Sequence, residues 1–383
     1  MSEKILNELI DDFVNLYNND TKQRDKEWYK LMGTTVGGSE IAAIMGMSPY
    51  SSFYKIVESK IEICKGNKPS SFSDNLACWW GTLFENVITR VVEIDLGNKV
   101  KGSNICIQKY EGHRNSPDGY IVLHLYKKDE NYHIWTTDLP KEDIAVSLIV
   151  LLEFKCPITR KPTGNIPKHY LPQVLSGLSV SPIAQKGLYI EAIFKKCSIS
   201  QLKNNTEYDE TFHKKTNKEV NLNPIAYGVL TIYVSLSKIT NDIMEIYKEY
   251  FNMDFDTDEL NIIDLGDASY DIFYKILHLI NDYQLIVAKT TVRFTDKNVT
   301  HKCPERGNDN LIDISKKTNC IAFAVLPWKL FDLSYILVDR EPNFLENIYP
   351  TIQKVHAMVL SSLNNDCSME EIRMMDMCDA IFN

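Results

Sequence analysis

Residues 147 to 157 read Ser147-Leu148-Ile149-Val150-Leu151-Leu152-Glu153-Phe154-Lys155-Cys156-Pro157. A short apolar run of this kind, closed by proline, predicts a strand over 147–156 that is buried on both faces. Such strands rarely carry charge, yet this one ends in an acid and a lysine two residues apart. Side chains alternate across a strand, so Glu153 and Lys155 share one face. An ionised pair in that position is costly unless something compensates it. A divalent metal together with a phosphate would do so. The pattern is E-x-K, and its meaning depends on partners elsewhere in the chain.

At 383 residues the chain has ample length for a large core. Hydrophobic residues make up 44%, which places it among globular proteins. A formal charge of −9 argues against a histone-like coat of positive charge. It leaves room for a local basic track, and residues 154–170 are one, with Lys155, Arg160, Lys161 and Lys168 and no acid among them. A solvated loop is the plain alternative for that run. The cysteines at 64, 78, 106, 156, 197, 303, 320, 367 and 378 are scattered, with no C-x-x-C. That spacing fits neither a disulfide framework nor a zinc site, and predicts reduced thiols in a cytosol-like compartment. No apolar leader follows Met1 and no run has the length of a membrane span, so a soluble protein is expected.

Outward from the central strand, residues 3–18 predict an amphipathic helix, ended at Asn18-Asn19-Asp20. Ser39 is the expected N-cap of a short helix over 40–45 closed by Gly46, and Ser48 with Pro49 the start of the next. Residues 66–75 are polar. A strong helix is expected over 76–93, where Trp79, Trp80, Leu83, Phe84, Val87, Ile88, Val91 and Val92 form one broad stripe. Residues 104–125 suggest paired strands around Asn115-Ser116-Pro117-Asp118-Gly119, followed by a polar stretch over 126–146. Later elements are a helix over 168–180, strands over 187–194 and 224–235, and a polar loop over 198–222 between those strands. Helices follow near 238–251 and 268–285, then a polar stretch over 295–319. Strands near 320–330 and 334–340 precede a helix near 343–363, and Ser368 with Glu371 makes a capping box. With no internal repeat, this order predicts one mixed α/β domain over 1–383, carrying an inserted segment over 236–318.

Several residues carry chemistry. Asp118 lies in Ser-Pro-Asp-Gly directly before the apolar run YIVLHL. Pro-Asp-Gly is favoured turn chemistry, and taken alone that is the stronger reading. Beside the E-x-K strand it becomes a second hard oxygen donor, and magnesium takes few carboxylates plus phosphate and water oxygens. Glu85 falls at the margin of the 76–93 stripe; it joins such a site only if that helix packs beside the strand, and a solvated glutamate is the commoner case. Gly37-Gly38-Ser39 opening a helix is a phosphate cradle or an ordinary N-cap. Tyr170 and Gln173 lie one turn apart after the basic loop, where they would hold a nucleotide or the attacking water, or form a plain helix surface. His113 reads as incidental. No serine-hydrolase, zinc-protease, P-loop or dinucleotide motif is present.

The ordered set is long. It runs from Trp28 through Gly37-Gly38-Ser39, Ile41 to Tyr50, and Gly81-Thr82-Leu83-Phe84-Glu85, then Ser116-Pro117-Asp118-Gly119, Leu152 to Pro157, and Tyr170-x-x-Gln173. It resembles the lambda-type exonuclease family, also called YqaJ-like viral recombinases, within the PD-(D/E)XK superfamily. The likeness is greatest to the exonucleases of large cytoplasmic DNA viruses. It extends through Tyr227 to Ile232, Trp328-Lys329 and Tyr349-Pro350, and is weak over 236–318.

The resemblance implies an α/β PD-(D/E)XK nuclease core, a central mixed sheet flanked by helices. It implies a Mg2+-dependent deoxyribonuclease (Mn2+ substituting) that works 5′→3′ on linear double-stranded DNA and leaves 3′ single-stranded tails for recombination, repair or replication. By position, Asp118, Glu153 and the Phe154 carbonyl bind metal with support from Glu85. Lys155 orients and activates the water, and Gln173 assists. Ser39 contacts the 5′-phosphate, while Arg160, Lys161, Lys168 and Tyr170 face DNA. A single-strand annealing protein is the implied partner, no membrane is involved, the assembly is a monomer or a homotrimer, and the location is the cytoplasmic viral replication site. One departure stands out: the family's arginine four residues after the tryptophan is Met32 here, which leaves Arg24, Lys30 or a basic-loop residue to substitute for it, or an enzyme that takes other ends or cuts internally. The alternatives are an endonuclease or flap- or nick-processing nuclease of the same fold, and a non-catalytic DNA-binding recombination partner.

Overall fold

The fold was obtained as a computed structural model. It describes residues 2–17, 26–67, 76–103, 105–158, 160, 162–203, 224–257, 260–281, 285–288, 291–294, 300–302, 311–312, 319–365, 368, 370–371 and 373–374. In chain order the first elements are helices α1 (Glu3–Leu16) and α2 (Lys26–Thr34), strand β1 (Val36–Gly37), a 3-10 turn (Gly38–Glu40), and helices α3 (Ile41–Ile44), α4 (Phe53–Cys64) and α5 (Leu76–Leu96). Strands β2 (His113–Arg114), β3 (Gly119–Lys128), β4 (Asn131–Ile134) and β5 (Ile144–Lys155) follow, then α6 (Leu171–Val180), β6 (Lys186–Lys196), α7 (Ile199–Lys203) and β7 (Ala226–Ser235). The later part holds α8 (Asn241–Phe251), β8 (Ile263–Asp264), α9 (Tyr270–Asn281), β9 (Leu285–Ala288), β10 (Thr291–Phe294), β11 (Thr300–Lys302), β12 (Leu311–Ile312), β13 (Cys320–Asp339) and α10 (Phe344–Asn365).

One mixed sheet runs β11-β10-β7-β13-β6-β5-β3-β4, with β8 joined to β13, β9 to β7 and β12 to β9. The central pair β5–β6 is parallel and sets Glu153 opposite Tyr189 and Lys155 opposite Glu191. Helix α6 makes the crossover that a parallel pair requires. On β5 every residue from Leu148 to Phe154 is buried, as the apolar run demands. Alternation divides them between two cores. Val150, Leu152 and Phe154 join α5, α8 and α9 on one face, whereas Ile149 and Leu151 join α1, α3, α4, α6 and α10 on the other. Glu153 and Lys155 share the parity of Ile149 and Leu151, so they face the α6 layer.

Several expectations change in detail. Ser39 caps nothing: Gly37 is the N-cap of the 3-10 turn, and its amide donates to the Glu40 carboxylate at 2.6 Å. The glycines at 37 and 38 make room for two side chains of β2 and the loop after it. A Cβ on Gly37 would lie 2.8 Å from Arg114 Nη1, and one on Gly38 would lie 2.2 Å from Asn115 Nδ2. Parallel pairing of β1 with β2 makes that approach. Ser48 forms a local turn with the amides of Tyr50 and Ser51, and Ser52 caps α4. The stretch 126–146 hides β4, which pairs with β3 as the true hairpin. The two late strands are one, β13, because a register shift between Leu330 and Asp332 carries the ladder past the charged residue. The Ser368–Glu371 capping box is present, with reciprocal bonds of 2.7 and 3.2 Å. The described cysteines are free thiols, and among the described residues no helix is long and apolar enough to cross a membrane.

Candidate active site

The sheet delivers Asp118, Glu153 and Lys155 to one place. Pairing of β3 with β5 starts at Gly119 opposite Leu152, so Asp118 stands immediately before the ladder. Its amide donates to the Leu152 carbonyl at 3.3 Å, and its Oδ2 accepts the Phe154 amide at 2.6 Å. Residues two apart on a strand direct their backbone groups to the same edge. The Phe154 carbonyl therefore leaves β5 on the edge where Asp118 sits, beyond the end of β3. Lys155 Nζ donates to Glu153 Oε1 and, at 3.3 Å, to Gln173 Oε1 on α6. It also lies 5.0 Å from the centre of the Tyr170 ring.

The electrostatics are lopsided. Burial pushes the Glu153 carboxyl up and Lys155 pulls it down; Asp118 and Glu85 push it up again, and it ends at about 7. Asp118 is also raised, by burial first, with Lys155 and the Phe154 amide opposing. Burial lowers Lys155, but Glu153 and Asp118 outweigh it and the ammonium stays charged. Glu85 is half-buried on α5 and reaches this end of β5 from the opposite helix layer, near enough to act on Glu153 and Cys156. The condition set by the sequence, that its helix pack beside the strand, is met: Phe84 joins the same core as Leu152 and Phe154 and stacks on Phe194 at 4.4 Å. One lysine thus faces three acids. Among the described residues no group of three or more His, Cys, Asp or Glu side chains is arranged to hold a metal by itself.

Around this centre the expected DNA residues separate. Lys168 is exposed, and Lys161 lies outside the described residues. Arg160 is not a free loop cation. It pairs with Glu191 and lies 5.5 Å from the Tyr170 ring centre, with Nη1 buried and without a hydrogen-bond partner. Glu191 is 1% exposed and also accepts the Tyr189 hydroxyl at 2.6 Å. Glu191 is an acid inside the apolar run GLYIEAIF, a charge in a buried strand like Glu153, and is absent from the residues expected at the site. Ser39 is exposed. Beneath its loop lies a second charged cluster: Lys60 Nζ donates to the carbonyls of Met32 at 3.1 Å and Thr35 at 2.5 Å, and to Glu40 at 2.9 Å. Arg114, 9% exposed, completes it, and its Nε has no hydrogen-bond partner. His113 is structural: buried, lowered to about 4 by burial and then Arg114, and bonded to Ser176 at 2.9 Å.

Comparison with known proteins shows the family of the chain. The YqaJ-like viral recombinase domain matches residues 27–184, a span that holds Glu85, Asp118, Glu153, Lys155 and Gln173 but not Tyr189 or Glu191. A protein of African swine fever virus is 30% identical over 350 residues, covering 90% of this chain and 88% of its own. Its counterpart from a tick isolate of that virus from Malawi is 31% identical over 354 residues, with the same coverage. The chain belongs to the YqaJ-like viral recombinase family. The YqaJ-like match takes in β1 to α6 and stops before β6, so the layers that present Asp118, Glu153, Lys155 and Gln173 all fall within it. Among solved structures, an alkaline exonuclease from Laribacter hongkongensis is similar at 20% identity and a TM-score of 0.31, covering 44% of this chain and 74% of its own.

Proposed function

We propose that this protein is a metal-dependent DNA exonuclease that works 5′→3′ on linear duplexes and leaves 3′ single-stranded tails for annealing, recombination or repair of viral DNA. The observation that carries the reading is the excess of acid at the end of β5. Asp118 and Glu153 are both held above the ordinary carboxylate range even with Lys155 beside them. A fold that needed only stability would not gather them.

Asp118, Glu153 and the Phe154 carbonyl offer hard oxygens, which suit Mg2+ or Mn2+ with water and phosphate oxygens completing the shell. Such an ion lowers the pKa of bound water and stabilises charge on the phosphate. Glu85 adds negative charge at one remove. Lys155, fixed by Glu153 and Gln173, presents its ammonium to the scissile phosphate and to the attacking water. With its Oε1 engaged by Lys155, Gln173 keeps its amide NH2 for that water or for phosphate. Arg160 and Lys168 would meet the backbone of the strand.

The terminal phosphate would meet the Ser39 loop. Met32 turns its side chain into the core and so offers no charge there. Arg114 is the cation available beneath Gly37, and we assign it the role that an arginine at position 32 would have taken. The test compares linear duplexes with 5′-phosphate or 5′-hydroxyl ends and a covalently closed circle, in Mg2+. The circle should stay intact, the 5′-phosphate duplex should be digested faster, and Arg114→Met should lose that preference. Cutting of the circle would favour the endonuclease reading. Binding of DNA without cleavage in Mg2+ or Mn2+ would favour a non-catalytic partner.

A further inference from the structure

A ladder of rings leads from the surface to the catalytic lysine. Tyr50 is 74% exposed and meets His169 edge-on at 5.4 Å between centroids. His169 lies 4.1 Å from Tyr170, and Tyr170 carries Lys155 Nζ at 5.0 Å and the Arg160 guanidinium at 5.5 Å. The Tyr50 loop also exposes Met45 and Met47. Inside the ladder two polar atoms, His169 Nε2 and Arg160 Nη1, are buried without hydrogen-bond partners. Burial, then Arg160 and Lys155, hold the imidazole below its usual range.

We propose that Tyr50, backed by His169, is a stacking platform for an unpaired base of the DNA strand whose phosphates meet Lys155 and Arg160. The proposal rests on the nuclease reading and adds where the substrate's base goes. The exposed ring is joined to the cations through His169 and Tyr170, so the base it stacks belongs to the same strand whose phosphates those cations meet. Any base has an aromatic face, so such a platform takes unpaired DNA irrespective of sequence. A duplex end seated here would have its terminal pair opened, with one base on Tyr50.

Binding is read in EDTA, so that no strand is cut, with a duplex bearing a short overhang whose terminal nucleotide is 2-aminopurine. Wild type and Tyr50→Phe should quench the 2-aminopurine, and Tyr50→Ala should not. Tyr50→Ala should bind this DNA about 10-fold more weakly. An abasic site in the same position should cost wild type that same factor and cost Tyr50→Ala nothing further. Quenching unchanged in Tyr50→Ala would overturn the proposal. So would an equal loss by Tyr50→Ala on abasic and base-containing strands, since that marks a backbone contact. Failure of the nuclease reading would show separately, as absence of Mg2+-dependent cleavage by wild type with quenching intact.

Discussion

Glu40 and Glu153 are two largely buried glutamates, each hydrogen-bonded to a lysine, and their carboxyls move in opposite directions. For both, burial is the largest influence and pushes upward. At Glu40 the neighbours Lys60, Arg114 and the Gly37 amide all pull down, and the carboxyl ends below its ordinary value. At Glu153 only Lys155 pulls down, while Asp118 and Glu85 add negative charge, and it ends at about 7. The first cluster pairs two cations with one acid and holds β1 and α2 to α4. The second sets Lys155 among Asp118, Glu153 and, at one remove, Glu85, and burial of Glu153 opposes folding. Excess acid at the end of β5 is what the proposed nuclease chemistry would use.

The largest effect that distinguishes the clusters is on hydrolysis. Glu153→Ala or Lys155→Ala should lower Mg2+-dependent nucleotide release about 1000-fold or more, the scale of losing a group that stabilises developing charge. Full activity in both would separate the second cluster from chemistry and collapse the contrast. On stability the order reverses. Glu40→Gln leaves Lys60 and Arg114 buried without their acid and should cost about 3–5 kcal/mol in chemical denaturation. A loss below about 1 kcal/mol would mean that the first cluster is also poorly compensated.

The smallest effect is a pH dependence with opposite signs. Glu153 holds its proton up to about 7 in the folded protein and only to 4.5 when unfolded. Without metal, folding is thus favoured at low pH and loses up to about 3 kcal/mol from this group as pH rises from 4.5 to 7. Glu40 is depressed, so its contribution is present above 4.5 and is lost as pH falls through its folded value. Melting of wild type against each glutamine variant in EDTA should show a gap that widens toward pH 8 for Glu153→Gln and shrinks below pH 4.5 for Glu40→Gln.

Much of the second cluster was legible because charge inside an apolar strand breaks a strong local rule. Glu153 and Lys155 break it together, and the strand period alone puts them on one face. Glu191 breaks it singly, without a lysine two residues on, and so passed as part of β6. The first cluster was hidden. Gly37-Gly38-Ser39 looks like a helix start because the approach of Arg114 and Asn115, which takes up the space of a Cβ, is made by residues far along the chain. The strand β4 was missed because Asn131–Ile134 is an exposed edge, where no apolar period is needed. β13 was read as two strands because a bulge at Asp332 interrupts its pattern without ending its pairing.

The central claim, that Glu153 is held in its buried place for chemistry at the expense of the fold, is tested most directly by Glu153→Gln on one preparation at pH 8. Its melting temperature in EDTA and its release of nucleotides from linear duplex in Mg2+ are measured together. The account predicts a melting temperature several degrees above wild type with nucleotide release abolished. A melting temperature below wild type, or release that survives the substitution, would contradict it.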